Sequence, residues 1–551
     1  MDLMIKEFLD SVKIRKYLTK DRMLVFVTGI ISGLIAHVYY MVNRLASDDM
    51  VVINYSDNPY NVINYILSGS ATGRWLGSVV DLIMTWYRSF YVAGWITVVL
   101  MAFISLFLIS CFDIKSKTGM LITTILIEAS PVTQGYVVLG EISYVFASLF
   151  AVISAWFIIR RRGTLSAWIK AFVCLGIALV IMPTNMSCML TTILLWVISE
   201  LAYSDQNNIH DIMRLILKIF GILFLGGMFL LLSSLLLMNI GSISSTGYQG
   251  AEQALSGSFI LQLPLNLIQV YKKFIVQGLW KIQIVPILRF TFYLSYLIDF
   301  ALIFVLWRKS RKDGIEAPVK RAVLIGAGVI LVPVALCTIT LLSYGFMYRG
   351  QHRFPLMILI VGGIMLIEKT SRIYGSSFRS NVKKVWNLCI IAIINSIFMI
   401  YGFFLYDNIG YQMQHYVMEH DSALCIRILS ALDARDDFEY SDPVYFLNIT
   451  TWDENEAVTD AKYEPELYSV IWPVVTTNLY CYGDGSVRGH MRNYEGVQFV
   501  SPSEDIQNEI INSGLSKEFD NLKAWDFAMT FYKGVTVVVV KTVMPPNVLY
   551  G

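Results

Sequence analysis

Long apolar runs separated by short polar stretches dominate the chain up to about residue 406. A run of about 18 apolar residues covers a hydrocarbon core of about 30 Å, because each helical residue advances about 1.5 Å and every backbone group is bonded within the segment. The pattern predicts about eleven spans, near 23–42, 89–111, 119–134, 142–160, 166–182, 187–203, 213–239, 290–307, 322–343, 354–368 and 385–406. The third and tenth are short enough to be tilted, broken or partly re-entrant. Two polar loops carry helical signals of their own. Asp57-Asn58-Pro59 supplies a cap and a first-turn proline before Ile63, Ile66 and Leu67, and a second helix follows Gly73-Arg74-Trp75 with Leu76, Val79, Val80, Ile83 and Tyr87 on one side. Its apolar face suits the headgroup boundary, with Trp75, Trp86 and Tyr87 as anchors. In the later loop, Leu267, Ile268, Tyr271, Phe274, Ile275 and Leu279 form a similar stripe beside Lys272 and Lys273.

The pattern changes beyond residue 407. Apolar runs shorten, and acids such as Asp433, Asp436, Asp437, Glu439, Asp453, Glu454 and Glu456 become frequent. A helix is predicted near 411–433, extended runs at 443–449 and 534–541, and a capped helix from Ser503. The β-branched run Gly534–Lys541 reads as a buried central strand. The fold class is therefore a mainly α, polytopic membrane protein (1–406) carrying a small soluble α/β domain (407–551).

Charge orients the spans, because short loops rich in lysine and arginine stay in the cytoplasm. Lys6, Lys13, Arg15, Lys16, Lys20 and Arg22 precede the first span, and alternate loops carry Lys115 with Lys117, Arg160-Arg161-Arg162, then Arg308 to Arg321 and Lys369 to Lys384. The amino terminus is expected inside, with loops 43–88 and 240–289 and the carboxy-terminal domain outside. A composition of 56% hydrophobic and 15% charged residues, with mean hydropathy +0.58, agrees with lipid as the main solvent. The formal net charge is +2, and no nucleic-acid partner is expected. The first apolar segment is too long for a removable secretion signal and reads as a retained anchor. Seven scattered cysteines make no disulfide scaffold. Only Cys425 and Cys481 share the exported domain, as a pair or as two buried thiols.

Ser47-Asp48-Asp49 directly after the first span, followed by Asn58-Pro59 and Gly73-Arg74-Trp75, resembles the glucosyltransferase-II-like (GtrII-type) family of polytopic bacterial enzymes within the GT-C class. The resemblance covers the membrane portion and is most specific around 47–77. It implies a glycosyltransferase moving a hexose, glucose by the family name, from a polyprenyl-phosphate donor to a surface polysaccharide or teichoic-acid-like acceptor at the outer membrane face. It also implies an inverting reaction, an acid of the first outer loop as base, surrounding membrane lipids, and partnership with a donor synthase and a flippase.

Such chemistry requires a carboxylate near the acceptor hydroxyl and cations near the leaving phosphate. Asp49 or Asp48 is the candidate base, with Asp49 slightly favoured, since adjacent helical residues point about 100° apart. The alternative for the pair is a solvated boundary at the end of a span. Glu141 would orient the acceptor or, as a first-turn acid, complement the dipole of the fourth span, which Tyr144 also opens beside a bound sugar. No cofactor is certain; a divalent cation, Mg or Mn, would draw on Asp48, Asp49 and Glu141. Arg349, His352 and Arg353 would hold the donor phosphate, although lipid headgroups attract the same arginines. Arg74 shares that reading, and Trp75 is either a sugar-stacking platform or an interface anchor. Asp299 and His37 lie inside spans and read as packed structural groups. Asn448-Ile449-Thr450 is a chance sequon. The competing readings are a transporter or flippase for lipid-linked sugars, a polysaccharide polymerase or ligase, and a non-catalytic scaffold for a polymer-binding domain.

Overall fold

The computed structural model describes residues 19–43, 59–85, 90–139, 142–204, 208–243, 259–272, 274, 286–342, 350–375, 380–451, 484–523 and 526–543. Helix α1 (Lys20–Asn43) is followed by a hairpin of α2 (Pro59–Ser70) and α3 (Trp75–Thr85), then α4 (Phe90–Cys111) and the tandem α5 (Lys117–Glu128) and α6 (Pro131–Leu139). Next come α7 (Ile142–Arg161), α8 (Leu165–Ile181), α9 (Met186–Ala202), α10 (Ile209–Gly241) and α11 (Phe259–Lys272). The helical part closes with α12 (Pro286–Lys312), α13 (Pro318–Leu336), the short α14 (Thr338–Leu342), α15 (Phe354–Tyr374) and α16 (Ser380–Asp433).

Among the described residues, nine helices are long and apolar enough to cross a membrane: α1, α4, α7, α9, α10, α12, α13, α15 and the first half of α16. The 17-residue α8 packs along α7, and the α5–α6 tandem packs along α1 and α4; they occupy the places of the fifth and third expected passes, but neither is a single helix long enough to count among the nine. Small residues line the tight crossings, as in Ala147, Ala151 and Ala155 of α7 and Ala171 and Ala178 of α8, all fully buried. Helices in lipid gain by such close packing, since the solvent around them is itself apolar. The outward faces are apolar too: Leu217, Phe220, Phe224 and Ile240 of α10 are all exposed.

The third pass breaks where the sequence places Ser130-Pro131. Proline has no N–H and its ring crowds the preceding turn, so α5 stops at Glu128 and carbonyls there lose their helical donors. Two side chains take over. Thr133 Oγ1 donates to Ile127 O at 2.7 Å, and His37 Nε2 of α1 donates to Glu128 O at 2.7 Å. Ser130 then receives the Thr133 N–H at 3.3 Å, capping α6. The tenth pass is continuous from Phe354 to Tyr374.

The α2–α3 hairpin turns at Gly73, whose φ of 74° lies in the left-handed region that side chains disfavour. Gly73 N–H bonds to Ser70 O at 3.0 Å and Arg74 N–H to Gly69 O at 2.7 Å, the paired bonds of a Schellman ending. Rather than lying free in the headgroups, α3 is seated on protein: Gly77 packs against the carbonyl of Ile181 at the end of α8. On α11, Asn266 and Val270 are buried, whereas Leu267 and Ile268 of the expected stripe face outward.

The carboxy-terminal module contains β1 (Val444–Thr451), α17 (Asp484–His490), α18 (Glu504–Asn512), α19 (Leu515–Glu518), β2 (Asp526–Tyr532) and β3 (Val535–Val543). The sheet order is β1-β3-β2, with β1 parallel and β2 antiparallel to β3. Lys533 and Gly534, both at positive φ, make the tight turn between β2 and β3. The valine run is the central strand. Val538 and Val540 join the cluster that holds Leu424, Ile428 and Leu432 of α16, while Val537 and Val539 join Ile510 of α18. Burial on both faces explains why β3 is continuously apolar and not alternating. The helix predicted at 411–433 is the unbroken continuation of the eleventh pass, so α16 runs through the expected boundary at 407. Ser503 stands at the N-cap of α18 but makes no side-chain cap bond, and Glu504 and Asp505 supply the favourable first-turn charge.

Candidate functional site

Chain direction divides the bundle into two ends. One gathers the basic residues around Asp113, which pairs with Lys115, Arg160 and Arg372. The other gathers the end of α1, the α2–α3 hairpin, α6 and the starts of α7 and α15. A continuous set of polar contacts joins these elements.

It begins at the hairpin. Arg74 follows the Gly73 turn, its Nε donates to Thr72 Oγ1 at 3.1 Å, and its charge acts on Asp81 one helix face further along α3. Asp81 accepts the backbone N–H of Ser143 at 3.3 Å, tying α3 to the first turn of α7. Burial pushes the Asp81 carboxyl up to about 6, although the Ser143 bonds and the Arg74 charge pull the other way. The next residue, Tyr144, is buried, stacked on Tyr136 (centroids 6.1 Å) with the His352 ring against it at 5.7 Å. Asn185, in a 3-10 turn over Pro183–Asn185, fixes this corner by donating to Tyr144 O at 2.7 Å.

His352 and Arg353 close the 3-10 turn Gly350–Arg353 that leads into α15. His352 is buried and Arg353 half-buried, and Arg353 Nε has no hydrogen-bond partner among the described residues. Its guanidinium and the Asp407 carboxylate both act electrostatically on Tyr406 of α16. Gln134 of α6 donates to Asp407 O at 3.0 Å. Four residues on, the Tyr411 hydroxyl lies 2.5 Å from His37 Nδ1. Because a carbonyl only accepts, His37 carries its proton on Nε2 toward Glu128 O, and its Nδ1 accepts a hydrogen bond from the Tyr411 hydroxyl.

Two carboxylates stand out in this region. Glu128, at the break of the third pass, and Asp407 are fully buried, and neither oxygen of either has a hydrogen-bond partner among the described residues. Glu128 lies against the glycine face of α1, where a Cβ on Gly33 would come within 2.7 Å of Oε2. Intramembrane acids are expensive and by default functional, but in the sequence Glu128 closes the apolar run ahead of Ser130-Pro131 and Asp407 falls just past the predicted end of the eleventh span, so neither stands out there. Asp299 itself faces Gly363 and lines a separate apolar cavity of about 260 Å³ between α9, α12, α13 and α15.

Of the expected site residues, Asp48, Asp49, Glu141 and Arg349 lie outside the described residues, as does Cys481. Arg74, Tyr144, His352 and Arg353 belong to the one contact set above. Trp75 adjoins it, but its indole N–H is engaged with Ser233 Oγ of α10 at 3.3 Å. His37 is the carbonyl-bonded histidine that the sequence suggests. Among the described residues no cluster of three or more His, Cys, Asp or Glu is spaced to hold a metal ion.

A family model described as glucosyl transferase GtrII matches residues 50–367, more than half of the chain. The chain belongs to the GtrII glucosyl transferase family. No curated protein and no solved structure matches it. The GtrII match runs from the residue after Asp49 into α15, and so takes in Arg74, Glu128, Tyr144, His352 and Arg353. Membership makes this protein a membrane glucosyltransferase, which uses a sugar donor and a glycan acceptor.

Proposed function

We propose that this GtrII enzyme transfers glucose from a polyprenyl-phosphate carrier to a cell-envelope glycan at the extracytoplasmic face, by a single inverting displacement of the GT-C type. The observation that carries the reading is the convergence of Arg74, Tyr144, His352 and Arg353 at the end of the bundle away from the basic loops. By the positive-inside rule that end is extracytoplasmic, as is the sheet domain that α16 carries.

Asp49 or Asp48 takes the proton of the acceptor hydroxyl as its oxygen bonds to the anomeric carbon. The bond from that carbon to the phosphate oxygen breaks, and the phosphate leaves with the electron pair. Arg353, with Arg349 and His352, stabilises the charge that develops there; the Arg353 Nε–H has no hydrogen-bond partner among the described residues, and a guanidinium is a group such a step can use. Glu141 orients the acceptor, Trp75 and Tyr144 wall the sugar, and a divalent cation, if used, sits with the acids of the first outer loop.

A synthetic short-chain polyprenyl-phosphate glucose tests the reading. Purified protein should consume it with an equal gain on an acceptor. Asp48→Asn and Asp49→Asn variants that fold normally and both keep full transfer would falsify the base assignment. The broken third pass, with Glu128 at its break, is a feature that a carrier of lipid-linked sugars would share. For a carrier, the same donor would cross proteoliposomes unconsumed.

A further inference from the structure

At the basic end, the ends of α4, α7, α9 and α15 surround a second cavity, of about 520 Å³, which shares no residue with the site above. Five cationic side chains line it, Lys115, Arg160, Arg162, Lys369 and Arg372, against the two carboxylates Asp113 and Glu200. The excess is three positive charges in one concavity.

These groups are held in place. Asp113, itself in the left-handed conformation at φ 55°, receives Arg160 at 3.1 Å, Arg372 at 2.6 Å and Lys115 at 3.3 Å. Arg160 Nε also donates to Ser110 O at 2.6 Å, and Arg372 Nη2 to Asp113 O at 3.1 Å, so both guanidinium planes are fixed from a second side. Lys369 bonds Glu200 at 2.8 Å and Ser199 O at 2.9 Å. The Arg162 guanidinium lies 5.2 Å over the Trp196 ring, which is part of the same wall.

The positive-inside rule accounts for lysines and arginines at this end, but it is satisfied by side chains splayed into water. It does not call for five of them around one hollow, where Asp113 and Glu200 offset only two of the five charges. An anion shared between them would offset the remaining excess. Guanidinium forks match phosphate oxygens, and basic hollows between membrane helices suit phosphorylated headgroups. The volume falls in the range of about 300–1,000 Å³ that holds a small molecule, which favours a whole headgroup over a bare phosphate ion.

We propose that this cavity binds the phosphate-bearing headgroup of an anionic lipid from the leaflet at the basic end, a site independent of glucosyl transfer. Two sources can supply the phosphate, and the test has an arm for each. Thermal stability of the full chain is measured in nanodiscs of phosphatidylcholine, with stepwise addition of phosphatidylglycerol or of millimolar inorganic phosphate. Saturable stabilisation by phosphatidylglycerol beyond that by inorganic phosphate supports the headgroup site, and equal stabilisation by both overturns the lipid as source. Lys115→Gln, at an exposed side chain, should weaken the apparent affinity about 5-fold, and Lys115→Gln with Arg162→Gln about 25-fold, from roughly 1 kcal/mol per cation near an anionic surface. No saturable response to either probe, or a Lys115→Gln variant that responds as the parent does, overturns the proposal.

Discussion

Gly77→Ala tests whether the α2–α3 hairpin must sit on α8 for transfer to occur. A Cβ on Gly77 would lie 2.4 Å from the carbonyl oxygen of Ile181. Carbon and oxygen ordinarily approach to about 3.3 Å, so the overlap is roughly 0.9 Å. Both sides of the contact are helix backbone, which cannot swing away as a side chain does. The strain of overpacking is about 1–3 kcal/mol, relieved only if α3 lifts by something near 1 Å. The Asp81 bond to Ser143 N is already 3.3 Å and would not survive that lift. A displacement of about 1 Å in a positioning element costs on the order of 100-fold in rate. The measurement is the initial rate of glucose transfer per folded protein in nanodiscs, beside a thermal melt. Gly221→Ala and Gly227→Ala, where a Cβ meets nothing within 4 Å, are the controls and should keep parental rates. A Gly77→Ala enzyme with parental rate and melting temperature would show that α3 is not seated as described.

Removing either helper at the break of the third pass should destabilise the bundle: His37→Phe leaves Glu128 O without its donor, at about 1–3 kcal/mol, read as a lower melting temperature that Tyr411→Phe reproduces only in part. Glu128→Gln and Asp407→Asn should melt no lower than the parent, because the carboxylates they replace have no partners among the described residues, while transfer falls about 100-fold if the acids serve the reaction. Unchanged transfer in both would leave them without a part in it. In the sheet domain, burial lowers His490 from 6.5 to about 4. The folded state then binds fewer protons than the unfolded one, so its contribution is complete above about pH 6.5 and is lost as pH falls toward 4, by about 3 kcal/mol at the limit. Hydrogen exchange of β1 and β3 should quicken across that window, and less so in His490→Gln.

The passes were legible because lipid imposes a length and a polarity that local sequence satisfies by itself, and nine of the eleven expected segments appear as unbroken helices near the predicted bounds, the ninth being divided between α13 and α14. The third was legible as short, and Pro131 gives its reason. Less visible was α16, since Asp407, Asn408 and Gly410 stand between the predicted pass and the helix at 411–433 and read locally as a helix end, which α16 runs through. At the site, Arg353 and His352 were legible as a cation and an imidazole next to the start of a span, in a loop that charge places outside. Glu128 and Asp407 did not, because each sits near the edge of an apolar run and resembles a boundary residue. Their depth depends on how α5 stops and how α16 continues, which are matters of tertiary packing.

The break in the third pass and the candidate site are one structural fact. A straight helix through Ser130-Pro131 would need no donor from α1 and would leave His37 a buried polar group in search of a partner. With the break, Glu128 O loses its helical donor and Ile127 O keeps only a long bond of 3.4 Å from Ser130 N–H, and His37 and Thr133 supply the donors. His37 in turn takes the Tyr411 hydroxyl on its second nitrogen, which ties the rotation of α16 to α1 and so helps set the direction of Tyr406, on which Arg353 acts. Local helix propensity is thus overruled where polar groups converge, which is where a functional site is expected to break the rules that shape the rest of the chain.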